Sequence, residues 1–577
     1  MRGLRVPVVS AVAATALGVL LLALPPMGSD LSAQTARADF FAAHGPALVD
    51  LRWYGGIHPF GYSLVSPPVM ALLGVGVTGV LALVGSAAAF SLLLVRTGVP
   101  RPWLGSLVGV VCIAGNLVSG RVTYALGVAF GLLALLALTL PAPRGPRTLP
   151  APRGPRTLPA PRGPGTRWRA VLAVAAALLA AATSPVAGLF VGLVGAALVL
   201  TRRHLDGLLL GVPAALVLGL TGLLFGEGGW MNISRTDTIH AVTTSLLVAA
   251  LAGYRPVRVG ALLSAAGVLA AALVHTPVGL NATRLVVMFG LPALAATARP
   301  PRQVLGWAAA LRSSRPGRDT SSRRADRPQP AQRRHRELPR PVGAVALAGL
   351  LAVVCWWQPP VVTADLRGAG HPTSDPAFFA PLRAQLTQRG LTGRVEVPPT
   401  RDYWEAAHLG AVPLARGWLR QADIDRNPLF FTTVPGATGT GVRLDADSYR
   451  SWLTENAVQY VAVPETELSW VGRAEATLVG TGLPYLTEVW SDARWRLYQV
   501  RDPAPLVGAP AELLSLDATT VTFRSDAAGD VPVRVRYSRW LGATGGATVA
   551  RDGDWARVTV PGPGRYQLRS RDLPLVP

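Results

Sequence analysis

Lysine is missing altogether: all 55 basic residues of this 577-residue chain are arginine, which a high-GC genome explains without any functional demand. Cysteine is down to two, Cys112 and Cys355, both inside apolar runs. That excludes a disulfide framework and a thiolate metal site, and both read as small core hydrophobes. Charge is scarce as well, 15% of residues against 50% hydrophobic. Such a composition excludes an ordinary soluble domain and belongs to a multi-span membrane protein. Also absent are GxxxxGK[ST], HExxH, CxxC and GxSxG, so no nucleotide loop, zincin, redox pair or nucleophile elbow is present.

What the chain has is apolar length. A spanning helix needs about 20 mostly apolar residues, and about eleven such runs occur: 6–24, 66–95, 102–119, 121–140, 169–183, 185–200, 205–225, 238–253, 257–275, 283–298 and 341–357. The first lacks a small-residue cleavage site and reads as a retained signal anchor. With a cytoplasmic N-terminus, alternate loops collect arginine as the positive-inside rule requires. Two of them, 141–168 and 299–340, are basic, low in complexity and expected to be disordered cytoplasmic loops; the first repeats TLPAPRGPR. They explain the net charge of +23, since arginines and acids balance after residue 357. No nucleic-acid partner is implied.

Residues 1–357 are therefore a transmembrane domain, and the tail lies outside the cytoplasm. Within 358–502, helix patterns at 375–389, 445–458 and 474–482 alternate with strand patterns at 394–398, 459–464 and 495–500, which predicts an α/β domain. Residues 503–577 change to period-two alternation broken by Gly and Pro, the pattern of a small β-sandwich.

Candidate chemistry sits at the outer helix ends. DLRWYGGIHPFGYSLVSPP, Asp50 to Pro68, opens the second apolar run. Asp50 could serve as general base toward a sugar hydroxyl or as a metal ligand, with Arg52 and His58 neutralising a leaving phosphate. The structural alternative is an interfacial loop with aromatic anchoring and an Asp50–Arg52 pair. A second outer loop, FGEGGWMNISRTDTIH, supplies Glu227, Asp237 and His240. Arg121, His275 and Arg284 could meet a lipid phosphate, or could simply cap helix ends and snorkel.

A long first outer loop ending in an acid, about eleven spans and a large exported C-terminal domain together resemble the GT-C superfamily of polyprenyl-phosphate-sugar-dependent glycosyltransferases. DLRWYGGIHPFGYSLVSPP is similar to the first-loop signature of an actinobacterial multi-span group sometimes labelled as major-facilitator transporters. TSPVAGLF, NATRLVVMFGLP, PLARGWLRQAD and YVAVPETELSWVGRAE are similar to later segments of that group. The resemblance implies a polytopic helical membrane fold and transfer of a hexosyl or pentosyl group from a lipid-linked donor to an envelope glycan or glycoprotein. It also implies Asp50 as the first-loop catalytic acid. The family usually has a pair of neighbouring acids there, whereas Leu51 and Arg52 follow here. A divalent cation, Mg or Mn, would have to use Asp50 with Glu227 or Asp39. The competing class is a transporter or a non-catalytic envelope scaffold. Spans almost free of charge, no repeated helical halves and the long exported tail all speak against transport.

Overall fold

The computed structural model describes residues 2–140, 164–298, 340–434, 436–437 and 441–572. Five helices are long and apolar enough to cross a membrane: Leu4–Ala23, Val75–Arg96, His204–Phe225, Arg255–Leu273 and Gly279–Thr297. Four shorter apolar helices accompany them, Pro102–Val118, Val122–Leu138, Pro185–Leu200 and Gly343–Trp357. The runs expected at 169–183 and 238–253 fall within the helices Pro164–Thr183 and Arg235–Leu251. By its apolar helices the chain is a multi-pass membrane protein. Small residues bring these helices together, as packing without a hydrophobic drive requires; Ala134, Ala173, Ala177, Ala180 and Ala214 are all buried in one seam.

The helix Pro164–Thr183 begins inside the segment expected to be a disordered loop at 141–168, so that loop ends sooner than anticipated. The remainder, 141–163, and the loop 299–340 up to the start of the helix Arg340–Trp357 lie outside the described residues.

Beyond the bundle lie two β structures. In the first, β1 (Arg394–Glu396), β2 (Val458–Pro464), β3 (Leu486–Ser491) and β4 (Trp495–Val500) form one sheet in the order β1-β2-β4-β3. β1 and β2 run parallel, and the other pairs are antiparallel. The helix Ala446–Glu455 starts at Asp445, whose carboxylate completes a capping box with Ser448. The helix expected over 375–389 is shorter, Ala380–Arg389, because Pro372 and Pro376 each open a separate 3-10 turn before it.

The second is a two-sheet sandwich. β5 (Ala511–Leu516), β6 (Thr520–Ser525), β7 (Gly529–Arg536), β8 (Leu541–Ala543), β9 (Thr548–Asp552), β10 (Trp555–Val560) and β11 (Gly564–Ser570) pair as β5-β6-β11-β8 and β7-β10-β9. Alternate residues Val531, Val533 and Val535 turn inward to meet Val521, Phe523, Val558 and Leu568.

The first loop ties all three parts together. Val49 and Leu51 join the sandwich core, while Trp53, Tyr54 and Ile57 join the core of the first sheet. The Leu51 amide donates to the Ala518 carbonyl at 2.8 Å, and the Leu414 amide donates to the Arg52 carbonyl at 2.7 Å. Tyr54, at φ +56°, is followed by Gly55 at φ +74°. A Cβ on Gly55 would lie 2.9 Å from the Arg394 guanidinium, so a larger residue there would have to displace that group as well as hold a positive φ.

Candidate functional site

The strongest convergence of charge is centred on Asp30. It precedes the helix Leu31–His44 in the N-cap position, yet its carboxylate makes no capping hydrogen bond. Instead Oδ2 lies 3.1 Å from Nη2 of Arg284 and 3.4 Å from Nε of Arg121. Arg121 lies in the turn between the helices Pro102–Val118 and Val122–Leu138, and Arg284 opens the helix Arg284–Thr297. Two glycines permit this closeness. Gly28 at φ +104° lies against the backbone of Ser119, and Gly120 at φ +72° against that of Leu31, where a Cβ would stand 2.4 and 2.5 Å from backbone atoms.

The C-terminal region covers the cluster. The Ser29 amide donates to Oδ1 of Asp365 at 3.1 Å, the Trp418 indole N–H to the Ser29 carbonyl at 2.9 Å, and the Ser32 hydroxyl to the Asp402 carbonyl at 2.6 Å. Burial raises the Asp402 carboxyl to about 6, against the pull of Arg401. Arg37, from the same helix, stacks its guanidinium 3.7 Å from the Tyr62 ring centre and 5.1 Å from that of Trp418. Burial lowers the Arg37 pKa, opposed by Tyr62 and Asp30.

Several buried polar atoms around this point have no hydrogen-bond partner: Nε of Arg121, Nη1 of Arg37, the Tyr124 hydroxyl and Oδ2 of Asp365. The Arg284 guanidinium lies 5.5 Å from the Tyr124 ring centre. Buried polar groups are normally satisfied by protein, ordered water or a ligand, so these atoms are open to a water or a polar ligand. Two arginines and a carboxylate in such a place can hold a phosphate and take a proton from a hydroxyl.

Of the expected site residues, Arg121 and Arg284 meet here. His275 does not join them in any resolved contact; its ring stacks on Trp230 with centroids 4.0 Å apart. Asp50 and Arg52 are both buried and closed on each other: Nε of Arg52 lies 3.0 Å from Oδ1, and Nη2 2.8 Å from Oδ2. The same guanidinium donates to the Ala36 carbonyl at 3.0 Å. The cleft beside Asp50 measures about 10 Å³, room for roughly one water.

His58 and Glu227 form a second pair. Oε1 of Glu227 accepts from the His58 amide and lies 3.0 Å from its Nδ1, while Oε2 is 2.5 Å from Nη2 of Arg426. Burial opposes ionisation of Glu227, but His58 and Arg426 outweigh it and hold its pKa below the ordinary value. The other face of His58 meets Ser538, Nε2 to Oγ at 2.8 Å. Asp237 accepts from the Ser234 hydroxyl at the start of its own helix, and His240 lies beside Trp357, ring centroids 6.4 Å apart.

The Asp50–Glu227 pair does not fit Mg or Mn. Each carboxylate is already engaged on both oxygens by arginine or histidine, and hard cations need oxygen ligands left open. Asp39, the other acid considered, is half-buried, and burial raises its pKa. Among the described residues no group of three His, Cys, Asp or Glu could hold a metal.

Asp30 was one of three acids in the first loop, and its importance was not legible there. The available signal was its place immediately before a helix, with glycines at 28 and 120 that look unremarkable in sequence.

No protein-family model and no curated protein matches the sequence. Among solved structures, the chain is similar to arabinofuranosyltransferase AftD from Mycobacteria, at 14% identity and a TM-score of 0.42, covering 98% of this chain and 60% of that one. It therefore spans less than two thirds of that protein's length. It is also similar to ArnT from Cupriavidus metallidurans, at 12% identity and a TM-score of 0.38, covering 82% of this chain and 93% of that one.

Proposed function

We propose that this chain is a membrane glycosyltransferase that moves a sugar from a polyprenyl-phosphate donor to an extracytoplasmic acceptor, a cell-envelope glycan or glycoprotein. The observation that carries this reading is the approach of Arg121 and Arg284 to the single carboxylate of Asp30, beside buried polar atoms of Arg37, Tyr124 and Asp365 that make no hydrogen bond. The N-terminus is then cytoplasmic and the C-terminal region extracytoplasmic, as the arginine distribution favours.

In the proposed reaction the donor phosphate takes the place of Asp30 on the two guanidiniums. The acceptor hydroxyl attacks the anomeric carbon, the bond from that carbon to the phosphate oxygen breaks, and the electron pair leaves on the phosphate. Arg121 and Arg284 stabilise that charge in a site shielded from water, where charge-assisted bonds are strong. Asp30 accepts the hydroxyl proton. The 358–502 domain, whose Asp365 and Asp402 lie over the cluster, would bind the acceptor. The role considered for Asp50 passes to Asp30, because Arg52 occupies both oxygens of Asp50. These steps are written without a metal, because the Asp50–Glu227 pair considered for one is already engaged.

The test is transfer from a radiolabelled polyprenyl-phosphate sugar in membranes containing the Asp30→Asn variant. The expected loss is about 100-fold or more, the usual share of a general base, with binding of the lipid phosphate retained. Full transfer by that variant would remove the proposed role.

A further inference from the structure

The sandwich carries a second basic site, remote in sequence from the one above. A cleft of about 490 Å³ is lined by Ser538, Arg539, Gly542, Thr548, Arg569 and Arg571 among others. A neighbouring cleft of about 390 Å³ shares Arg569 and Arg571 and adds His44, Thr519 and Asp572. Elsewhere on the sandwich Arg524 meets Glu512, Arg536 meets Asp554 and Arg557 meets Asp552, while Arg534 and Arg551, which line neither cleft, turn to the Pro505 carbonyl and the Tyr537 ring. Among the described residues, Arg539, Arg569 and Arg571 form no salt bridge to a carboxylate, and Asp572 is the one acid that lines either cleft. Three guanidiniums without counter-charge favour an anion.

Position decides which anion. Arg539 donates through Nη2 to the Leu223 carbonyl, and the Trp540 indole donates to the Leu224 carbonyl at 2.9 Å. Leu223 and Leu224 close the helix His204–Phe225, one of the five able to cross a membrane, and that helix presents most of its apolar surface outward. Leu223 is 74% exposed. A helix end with a tryptophan bonded to its last carbonyls is at headgroup depth, and arginines there meet lipid phosphates.

We propose that the Arg539–Arg569–Arg571 cleft binds the phosphate headgroup of an anionic phospholipid and seats the sandwich on the membrane surface. This site is independent of the transferase reading. Arg569 and Arg571 can each present paired N–H donors to phosphate oxygens, Arg539 adds its charge while Nη2 stays on the Leu223 carbonyl, and the Ser538 hydroxyl, held by His58, forms part of the wall.

The test is native mass spectrometry of the full chain in detergent, titrated separately with phosphatidylglycerol, phosphatidylcholine and glycerol phosphate. We expect one phosphatidylglycerol adduct that phosphatidylcholine does not reproduce, about tenfold weaker in the Arg569→Gln/Arg571→Gln variant at an unchanged melting temperature. Equal retention of both lipids, or undiminished phosphatidylglycerol binding by the double variant, would overturn the proposal. Displacement of the lipid by equimolar glycerol phosphate would also overturn it, by assigning the cleft to a free anion. If the double variant unfolds, Arg571→Gln alone gives the same comparison.

Discussion

Arg52 closes both carboxylate oxygens of Asp50, two residues earlier, with Nε 3.0 Å from Oδ1 and Nη2 2.8 Å from Oδ2, and both side chains are buried. Removing one partner of a buried pair typically costs about 3–5 kcal/mol, because the other charge is left uncompensated. Asp50→Asn is therefore expected to lower the melting temperature and the yield of folded protein. Adding Arg52→Gln should recover part of the loss. An Asp50→Asn protein that melts normally but transfers no sugar would return Asp50 to the chemistry.

Arg121 and Arg284 share Asp30, so their effects should not add. Each single change to Gln is expected to reduce transfer by about 100-fold, the scale of one donor lost from a developing charge. The double variant should lose less than the product of the two, as residues acting as a unit do. Strict multiplicativity in transfer assays would show that the two arginines act on separate groups.

Glu396 and Glu475 face one guanidinium, that of Arg416, whose Nη1 lies 3.6 and 3.1 Å from them while Asp423 takes Nη2 at 2.8 Å. The Tyr449 hydroxyl donates to Glu475 at 2.9 Å. Burial raises both glutamates, Glu396 well above its ordinary value and Glu475 from 4.5 to about 7. The folded state thus holds protons that the unfolded chain has released, so this contribution to stability weakens as pH rises from about 4.5 through 7. Histidines 371 and 408, lowered mainly by burial, act in the opposite sense. Comparison with Glu475→Gln isolates the glutamate: its melting temperature should fall less than that of wild type between pH 5 and 8. An identical fall in both proteins would refute the assignment.

Gly55→Ala tests the turn that joins the first loop to the sandwich. Its φ of +74° costs an L-residue about 1–2 kcal/mol, and the new methyl would press on the Arg394 guanidinium at 2.9 Å. Scanning calorimetry should show an earlier transition. Unchanged melting would mean that the turn relaxes freely.

Much of the architecture was legible because it follows from repeating patterns. Apolar length marked the bundle, period-two alternation marked β6, β7, β10 and β11, and Asp445 marked the start of its helix. β3 was missed because LTEVWS carries no clean alternation: its residues are half-buried or exposed along the sheet edge. The site was only half legible. Arg121 and Arg284 stood out as isolated charges at helix ends, but their shared partner depends on contacts across 91 and 254 positions, which no local pattern records. The motif from Asp50 to Pro68 is hard to read for the same reason. Its charges look like chemistry in one dimension, and in three dimensions Asp50 and Arg52 neutralise each other.

The first loop also sets an order of assembly. The Val49 amide bonds to Ser570, 521 residues later, and Leu51 packs into a core whose other members, Val49 aside, run from Ala457 to Leu568. During synthesis this loop must wait, apolar side chains uncovered, until the chain has been delivered as far as Leu568 and Ser570. Contacts of such separation are slow to form. The sandwich thus acts as a clasp: a chain stopped short of it leaves the first loop unfastened, however completely the helices have been inserted.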